Sequence, residues 1–274
     1  MVCSLIFPKT NLAGTDPTEL PLFSIEQIEY IGAFRLPARD IGEANANWAS
    51  GVIAYNHRNN SIFFSGHAQY QAIAEFAIPE TSKSSIISEL KTASVIQEFI
   101  RIFKRTEHNP DKQDTITGMY FDYGRLIINT IKYYDAEAKS KDTTIVIDNA
   151  SNLKEAKNLK FSQLEFGAKA SGWISKVPTE WREKLKGDLI VGNSNGWPIN
   201  GRLSIGPSAF TTYSRRVVNS DITGGVISIT PLQMYSLNKP LSKDLLNKEL
   251  DNLLLTELSK ASYGFIIPNT TTYF

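Results

Sequence analysis

GVIAYNHRNNSIFFSGHAQYQAIAEFAIP, residues 51–79, predicts three short β-strands joined by two tight turns. Residues 51–55 and 61–65 are rich in small, β-branched and aromatic side chains, which favour buried strands. Residues 71–78 place apolar side chains at alternate positions, the two-residue period of a strand. The segment is therefore predicted to be an antiparallel meander, and a fourth, outer strand is expected at residues 95–103.

Weaker copies of this unit recur along the chain. Each copy begins with a glycine-led or small-residue strand, continues through a polar turn and returns as a second strand. The expected copies begin at residues 117, 172 and 206, and residues 261–274 resemble the opening of the first unit. Small antiparallel sheets repeated along one chain predict a β-propeller.

The expected fold class is therefore all-β, a β-propeller with antiparallel blades of three to four strands over residues 28–274. Residues 1–27 are expected to be an irregular lead-in, and residues 240–259 a Leu-rich helical insertion that Ser242 caps. The last residues stop inside a strand, and half a blade leaves unpaired edges. The expectation is thus an incomplete arc of about four blades, cut from a longer protein.

The composition of the chain argues against several classes of function. The net charge of +1 gives no general attraction to nucleic acid, and no apolar run approaches the length of a membrane span. One cysteine, Cys3, excludes an intrachain disulfide. His57, His67 and His108 share no metal-ligand spacing, and no phosphate-binding loop is present, so neither a metal nor a cofactor is expected.

One end of the predicted sheets concentrates polar and aromatic residues. In an antiparallel meander alternate loops lie at opposite ends, so the loops before each first strand and after each second strand share one end. Aromatic rings stack, amides form hydrogen bonds, and arginine holds a carboxylate or sulfate through two of them, which together suit sugar recognition. The expected ligand-binding residues are Trp48, Tyr70, Lys132, Asn193, Asn195, Trp197 and Ser204.

Four residues in these loops are candidates for catalysis. His67 lies between two small residues at a strand end and could act as a general base, or only hydrogen-bond to the next blade. Tyr133 and Tyr134 could donate a proton, stack on a ligand or pack between blades. Arg202 either reaches an anion or ties two blades together. Glu75 is predicted to be a partner between blades rather than a catalytic residue.

Four blocks also carry a resemblance to known proteins. They are YIGAFRLP (30–37), GVIAYN…SIFFSGH…AEFAIP (within 51–79), NGRLSIGPSAF (200–210) and ASYGFIIPNTTTYF (261–274). Together they resemble a group of propeller-like hypothetical proteins over most of residues 28–274. More distantly the arrangement is similar to propeller polysaccharide lyases such as the ulvan lyases, which use His, Tyr and Arg in a central groove. That likeness implies roles for His67 and Arg202 and leaves the tyrosine open.

Two functions are expected from these observations. The first is a carbohydrate-interacting propeller that acts as an acidic-polysaccharide lyase by β-elimination. In it, Arg202 neutralises a uronate carboxylate, His67 or a tyrosine removes the α-proton, and a tyrosine protonates the leaving oxygen. The alternative is a non-catalytic propeller that presents the same loops to a glycan or a protein.

Overall fold

Three sheets of four, five and four mainly antiparallel strands follow one another along the chain. The structure, a computed structural model, describes a set of ranges that covers most of the molecule. They are residues 16–135, 139–192, 199–200, 206–220, 225–235 and 264–271. Strands dominate these ranges and helices are short, so the expected all-β character is confirmed. None of the sheets within these ranges closes on itself.

The first sheet is the meander predicted from residues 51–79 with its outer strand. It consists of β1 (Ile53–Asn56), β2 (Ser61–Ser65), β3 (Ala72–Ala77) and β4 (Val95–Arg101), each antiparallel to the next. Asn60 closes the first turn at φ 46°, a left-handed conformation that asparagine tolerates better than most residues.

The second sheet continues the pattern. It pairs β5 (Thr115–Asp122), β6 (Arg125–Ile131), β8 (Thr144–Ile147) and β9 (Phe161–Leu164) in order, while the short β7 (Tyr134–Asp135) lies between β6 and β8 in the chain. The three strands expected for the second unit are confirmed, and β9 supplies a fourth.

The third sheet pairs β10 (Ile174–Lys176), β11 (Leu189–Gly192), β13 (Gly206–Thr212) and β15 (Thr230–Tyr235). The prediction that a fourth unit begins at residue 206 was wrong, because β13 pairs with β11 and completes the third sheet. Where an arc of about four blades was expected, the described ranges contain three sheets of four or five strands.

Two short strands pair with strands from an earlier part of the chain rather than with the strands next to them in sequence. The strand β12 (Ile199–Asn200) runs parallel to β7, and β14 (Val226–Ile227) runs parallel to β9 at the edge of the second sheet. The continuation of the unit predicted to begin at residue 206 therefore contains β14 and β15, which belong to different sheets. The residues expected to form the Leu-rich insertion, 240–259, lie outside the described ranges.

Helices are confined to connections. The α-helices are α1 (Arg182–Leu185) and α2 (Ser214–Val218), and α1 lies within the short helix predicted after residue 178. The 3₁₀ turns are Pro17–Glu19, Ile25–Gln27, Ile87–Glu89, Ile102–Lys104, Leu153–Glu155, Gly167–Ala170 and Thr179–Trp181. The described part of the lead-in reaches the end of the chain, because Thr271 N donates to Pro21 O at 3.1 Å.

Two apolar cores hold consecutive sheets together. Phe63 of the first sheet stacks on Phe121 of the second with ring centroids 5.8 Å apart, inside a cluster drawn from both sheets. A second cluster joins Ile127 and Leu164 of the second sheet to Phe210 of the third. Burying each such side chain stabilises the fold by about 1.5–3 kcal/mol.

The first strands of the three sheets are neighbours. β1 contacts β5, and β5 contacts β10. The approach is closest at Gly118, where an added Cβ would collide with the carbonyl oxygen of Gly172. The three sheets therefore pack face to face, with their first strands side by side.

Candidate functional site

The turn between β2 and β3, residues 66–71, lies against the segment that precedes β1. Ala49 and His67 form an antiparallel bridge, and Ala68 N donates to Trp48 O at 3.0 Å. Gly66 permits this approach, because a Cβ there would lie 2.6 Å from Asn45 O. At this sheet, the structure brings together the two loops that were expected to share one end.

His67 has a defined tautomer. Its Nδ1 accepts a hydrogen bond from Gln69 N at 3.2 Å, so the neutral ring carries its proton on Nε2. The side chain is half-buried, and its ring centroid lies 4.9 Å from that of Tyr70. In this tautomer His67 donates a hydrogen bond from Nε2, and it would act as a base there only in the other neutral tautomer, which gives up the bond from Gln69 N.

Arg101, which the sequence analysis did not select, completes this group. Its Cζ lies 4.2 Å from the Tyr70 ring centroid, a cation–π contact. Glu43 holds it from the other side, since Arg101 N donates to Glu43 Oε2 at 2.9 Å and Arg101 Nε donates to Glu43 O at 3.3 Å. We call His67, Tyr70 and Arg101 the stacked cluster.

The outer part of the Arg101 guanidinium keeps its hydrogen-bonding capacity. Its Nε is engaged by Glu43, whereas neither Nη group has a hydrogen-bond partner among the described residues. Arg105 also forms an ion pair with Glu43, at 2.6 Å. The single negative charge of Glu43 is therefore shared between two arginines and does not fully compensate the positive charge of Arg101. The two Nη groups form a fork of the kind that binds carboxylate or sulfate.

Trp48 stands beside the stacked cluster with 85% of its surface exposed. Its backbone has φ 49°, a left-handed conformation that costs a tryptophan about 1–2 kcal/mol. The hydrogen bond from Ala68 N fixes its carbonyl, so the ring is presented to solvent from an anchored backbone. An exposed ring held in a costly conformation is typical of a contact surface.

The second sheet contributes its own loops to the same end. Gln71 connects them, because its side-chain Oε1 accepts from Ile116 N at 2.7 Å in β5. Just before β5, Asp114 Oδ1 accepts from Tyr133 N at 2.7 Å. Tyr133 and Tyr134 are 47% and 59% exposed.

The predicted site residues thus fall into three groups. Trp48, His67 and Tyr70 lie together, whereas Tyr133, Tyr134 and the half-buried Lys132 follow β6 on the neighbouring sheet. The tyrosine that contacts His67 is Tyr70, which was selected as a ligand-binding residue. The remaining predicted residues lie outside the described ranges: Asn193, Asn195, Trp197, Arg202 and Ser204.

The opposite end of the sheets carries a second set of charges. Burial raises the pKa of Asp122 at the end of β5, and the nearby Asp188 raises it further, while Arg125, Lys176 and His57 act in the opposite direction. Arg58 lies 5.9 Å from the Phe121 ring centroid there. The turns at this end pack the first sheet on the second.

Two clefts lie away from the stacked cluster. One, of about 300 Å³, lies beside β8 between polar side chains that include Asn152, Lys157 and Ser220. The other, of about 410 Å³, is apolar and lies on the third sheet between Trp181, Leu232 and Ile266. The described part of the chain has no group of three or more His, Cys, Asp or Glu residues arranged to hold a metal.

Comparisons with known proteins add no relative. No family model matches the chain, and neither a curated protein nor a solved structure is detectably similar to it. The resemblance to propeller-like hypothetical proteins and to ulvan lyases is thus a prediction that these comparisons do not support. Within the ranges described, no helix combines the length and the apolar character needed to cross a membrane.

Proposed function

We propose that this chain is a carbohydrate-interacting protein of β-propeller type, and that it binds an acidic glycan at the end surface formed by Trp48 and the stacked cluster. The propeller interpretation is supported by three successive sheets of four or five mainly antiparallel strands, whose first strands are neighbours and whose facing sides share apolar cores. Propellers bind ligands through loops at the end of the sheets, where these residues lie.

The observation that carries the proposal is the position of Arg101. The guanidinium is stacked on Tyr70 and anchored to Glu43, and both Nη groups are unpaired within the described residues. A guanidinium fixed in this way loses little conformational entropy when it binds a carboxylate through two hydrogen bonds. The exposed Trp48 ring provides a flat apolar face for a sugar ring.

Binding without turnover fits the geometry better than catalysis. The hydrogen bond from Gln69 N to His67 Nδ1 favours the neutral tautomer with its proton on Nε2, and in that tautomer Nε2 is a donor toward a ligand rather than a base. Tyr70 is 37% exposed and Trp48 is 85% exposed, so the surface does not exclude the water that competes with proton transfer.

An acidic-polysaccharide lyase is the second candidate, because a histidine, a tyrosine and an arginine are in mutual contact. Arg101 would take the role first given to Arg202 and neutralise the uronate carboxylate. In the neutral tautomer with its proton on Nδ1, His67 would remove the α-proton through Nε2. The C–O bond to the leaving sugar would then break as a C=C bond forms, and the Tyr70 hydroxyl would protonate the leaving oxygen.

The test is calorimetric titration of the full chain with a polyuronate and with a neutral polysaccharide. We expect binding to the polyuronate, and Arg101→Gln should weaken it by about 10- to 100-fold, the effect of losing hydrogen bonds to a charged group. Arg58→Gln is the matched control, because Arg58 also lies over an aromatic ring but at the opposite end.

Three outcomes discriminate between the possibilities. Absence of polyuronate binding, or an equal loss in Arg58→Gln, would overturn the proposal. Ultraviolet absorbance from an unsaturated product would favour the lyase if it disappears in His67→Ala. Binding with no product in the wild-type chain would establish the non-catalytic function.

A further inference from the structure

Asp142 has a buried carboxylate oxygen that nothing in the described structure satisfies. It lies just before β8, and only 6% of the residue is exposed. Its Oδ1 accepts from Gln163 Nε2 at 3.2 Å, whereas its Oδ2 is buried with no hydrogen-bond partner among the described residues. Leaving an ionised acceptor in this state is costly, so native structures normally provide it with a partner.

A second carboxylate lies beside it. Asp111 Oδ2 accepts from Lys141 N at 2.5 Å and from Asp142 N at 2.7 Å, which holds the loop so that the two acidic groups are neighbours. The Asp111 Oδ1 has no hydrogen-bond partner within the described ranges. The described structure therefore leaves one oxygen of each carboxylate without a hydrogen-bond partner.

A hydrogen-bond donor from the protein does not explain this pair. The Asp111 charge raises the pKa of Asp142 in the same direction as burial does, and only the amide of Gln163 acts against them. A proton on Asp142 Oδ2 could be donated to Asp111 Oδ1, but only while one of the two carboxyl groups is protonated. A cation that binds both carboxylates satisfies both free oxygens at once.

We propose that Asp111 and Asp142 bind a calcium ion through Asp142 Oδ2 and Asp111 Oδ1. Carboxylate oxygens are hard ligands, which favour calcium or magnesium over transition metals. Calcium fits better, because it accepts irregular coordination and adds backbone carbonyls and water, whereas magnesium demands near-octahedral geometry. With only two carboxylates the affinity is expected to be low, with a dissociation constant of roughly 10⁻⁴–10⁻³ M.

The experiment uses the full chain after dialysis against a chelator. Titration with calcium chloride should give a saturable heat. At ten times the dissociation constant, calcium should raise the melting temperature by about 3 °C. Asp142→Asn should abolish both effects. Asp111→Asn should do the same, and it keeps an oxygen that can still accept from Lys141 N and Asp142 N.

Asp148→Asn is the matched control. It removes a carboxylate that directly follows the same strand, β8, but whose side chain is 83% exposed. This variant should bind calcium like the wild-type chain. The inference is overturned if the wild-type chain shows neither heat nor a melting shift, or if Asp142→Asn keeps the calcium response.

Discussion

Two polar groups of the first sheet differ in how much of their hydrogen-bonding capacity is used. Glu75, in the middle of β3, is fully buried, and its carboxylate accepts from four side chains: Asn56, Asn59, Ser61 and Gln97. The stacked cluster, at one end of the same sheet, leaves both Nη groups of Arg101 unpaired within the described residues. Saturated groups hold the fold together, whereas groups with spare capacity are available to a ligand.

The Glu75 group also joins two sheets. Gln97 donates to Glu75 and to Ala150 O, the latter at 2.8 Å, and its Oε1 accepts from Leu153 N at 2.6 Å. Ala150 and Leu153 follow β8 of the second sheet. Glu75 therefore orients the side chain that connects the first sheet to the second, in agreement with its predicted role between blades.

The largest effect is expected from Glu75→Ala. The change leaves buried amide and hydroxyl donors without an acceptor, at about 1–3 kcal/mol for each group that cannot find another partner. We expect a loss of about 3–5 kcal/mol in the free energy of unfolding, measured with urea. Glu98→Ala, at an exposed position of β4, is the control and should change it by less than about 0.5 kcal/mol. A loss below about 1 kcal/mol in Glu75→Ala would contradict the inference that the saturated Glu75 group holds the fold together.

The sequence predicted the strands correctly where the turn residues and the alternation of apolar side chains could be recognised within one short segment. The first sheet follows from its polar turn residues and alternating pattern, and so do most strands of the second. It failed at the third sheet, because the connection between β11 and β13, residues 193–205, is as long as a link between two units. The sequence analysis therefore assigned β13 to a new unit. The departure of β14 to the second sheet depends on a parallel pairing that no local pattern marks.

The candidate site shows the same limit. His67 and Tyr70 belong to one turn, so their proximity could be expected from the sequence. Arg101 reaches Tyr70 only through the pairing of β3 with β4, which sets Arg101 opposite Ala72. That pairing has two register irregularities, on either side of Glu75, so it cannot be counted along the sequence. From the sequence alone, Arg101 therefore looked like a solvent-exposed residue at the end of a strand.

Asp142 extends the comparison to a carboxylate that is buried but not saturated. Its pKa is raised in the folded chain, so its contribution to stability is present below the unfolded pKa and is lost as pH rises through the raised value. In chelator at neutral pH, Asp142→Asn should therefore be more stable than the wild-type chain. The difference should vanish below about pH 4, where the aspartate is protonated in both states. Urea unfolding at both pH values checks this, and a difference independent of pH would contradict it.

Arg101→Gln should affect binding far more than stability. It removes one cation–π contact and one hydrogen bond at a partly exposed position, together worth about 0.5–1 kcal/mol. Urea unfolding should detect this small loss beside the large one in Glu75→Ala. If Arg101→Gln were as destabilising as Glu75→Ala, Arg101 would be a structural residue and its unpaired Nη groups would not indicate a ligand.

The smallest effect on stability, and the sharpest comparison of the two ends, comes from Trp48 and Tyr123. Both are exposed aromatic residues in left-handed backbone, with φ 49° and 45°, and their surfaces are 85% and 78% exposed. Asparagine tolerates this conformation, so Trp48→Asn and Tyr123→Asn should each raise the free energy of unfolding by about 0.5 kcal/mol. Only Trp48→Asn should weaken polyuronate binding, because Tyr123 lies at the end opposite the stacked cluster. Equal losses of binding in the two variants would place the glycan elsewhere. A gain in stability together with a loss of binding in Trp48→Asn alone would show that the strained Trp48 backbone is kept because its ring contacts the ligand.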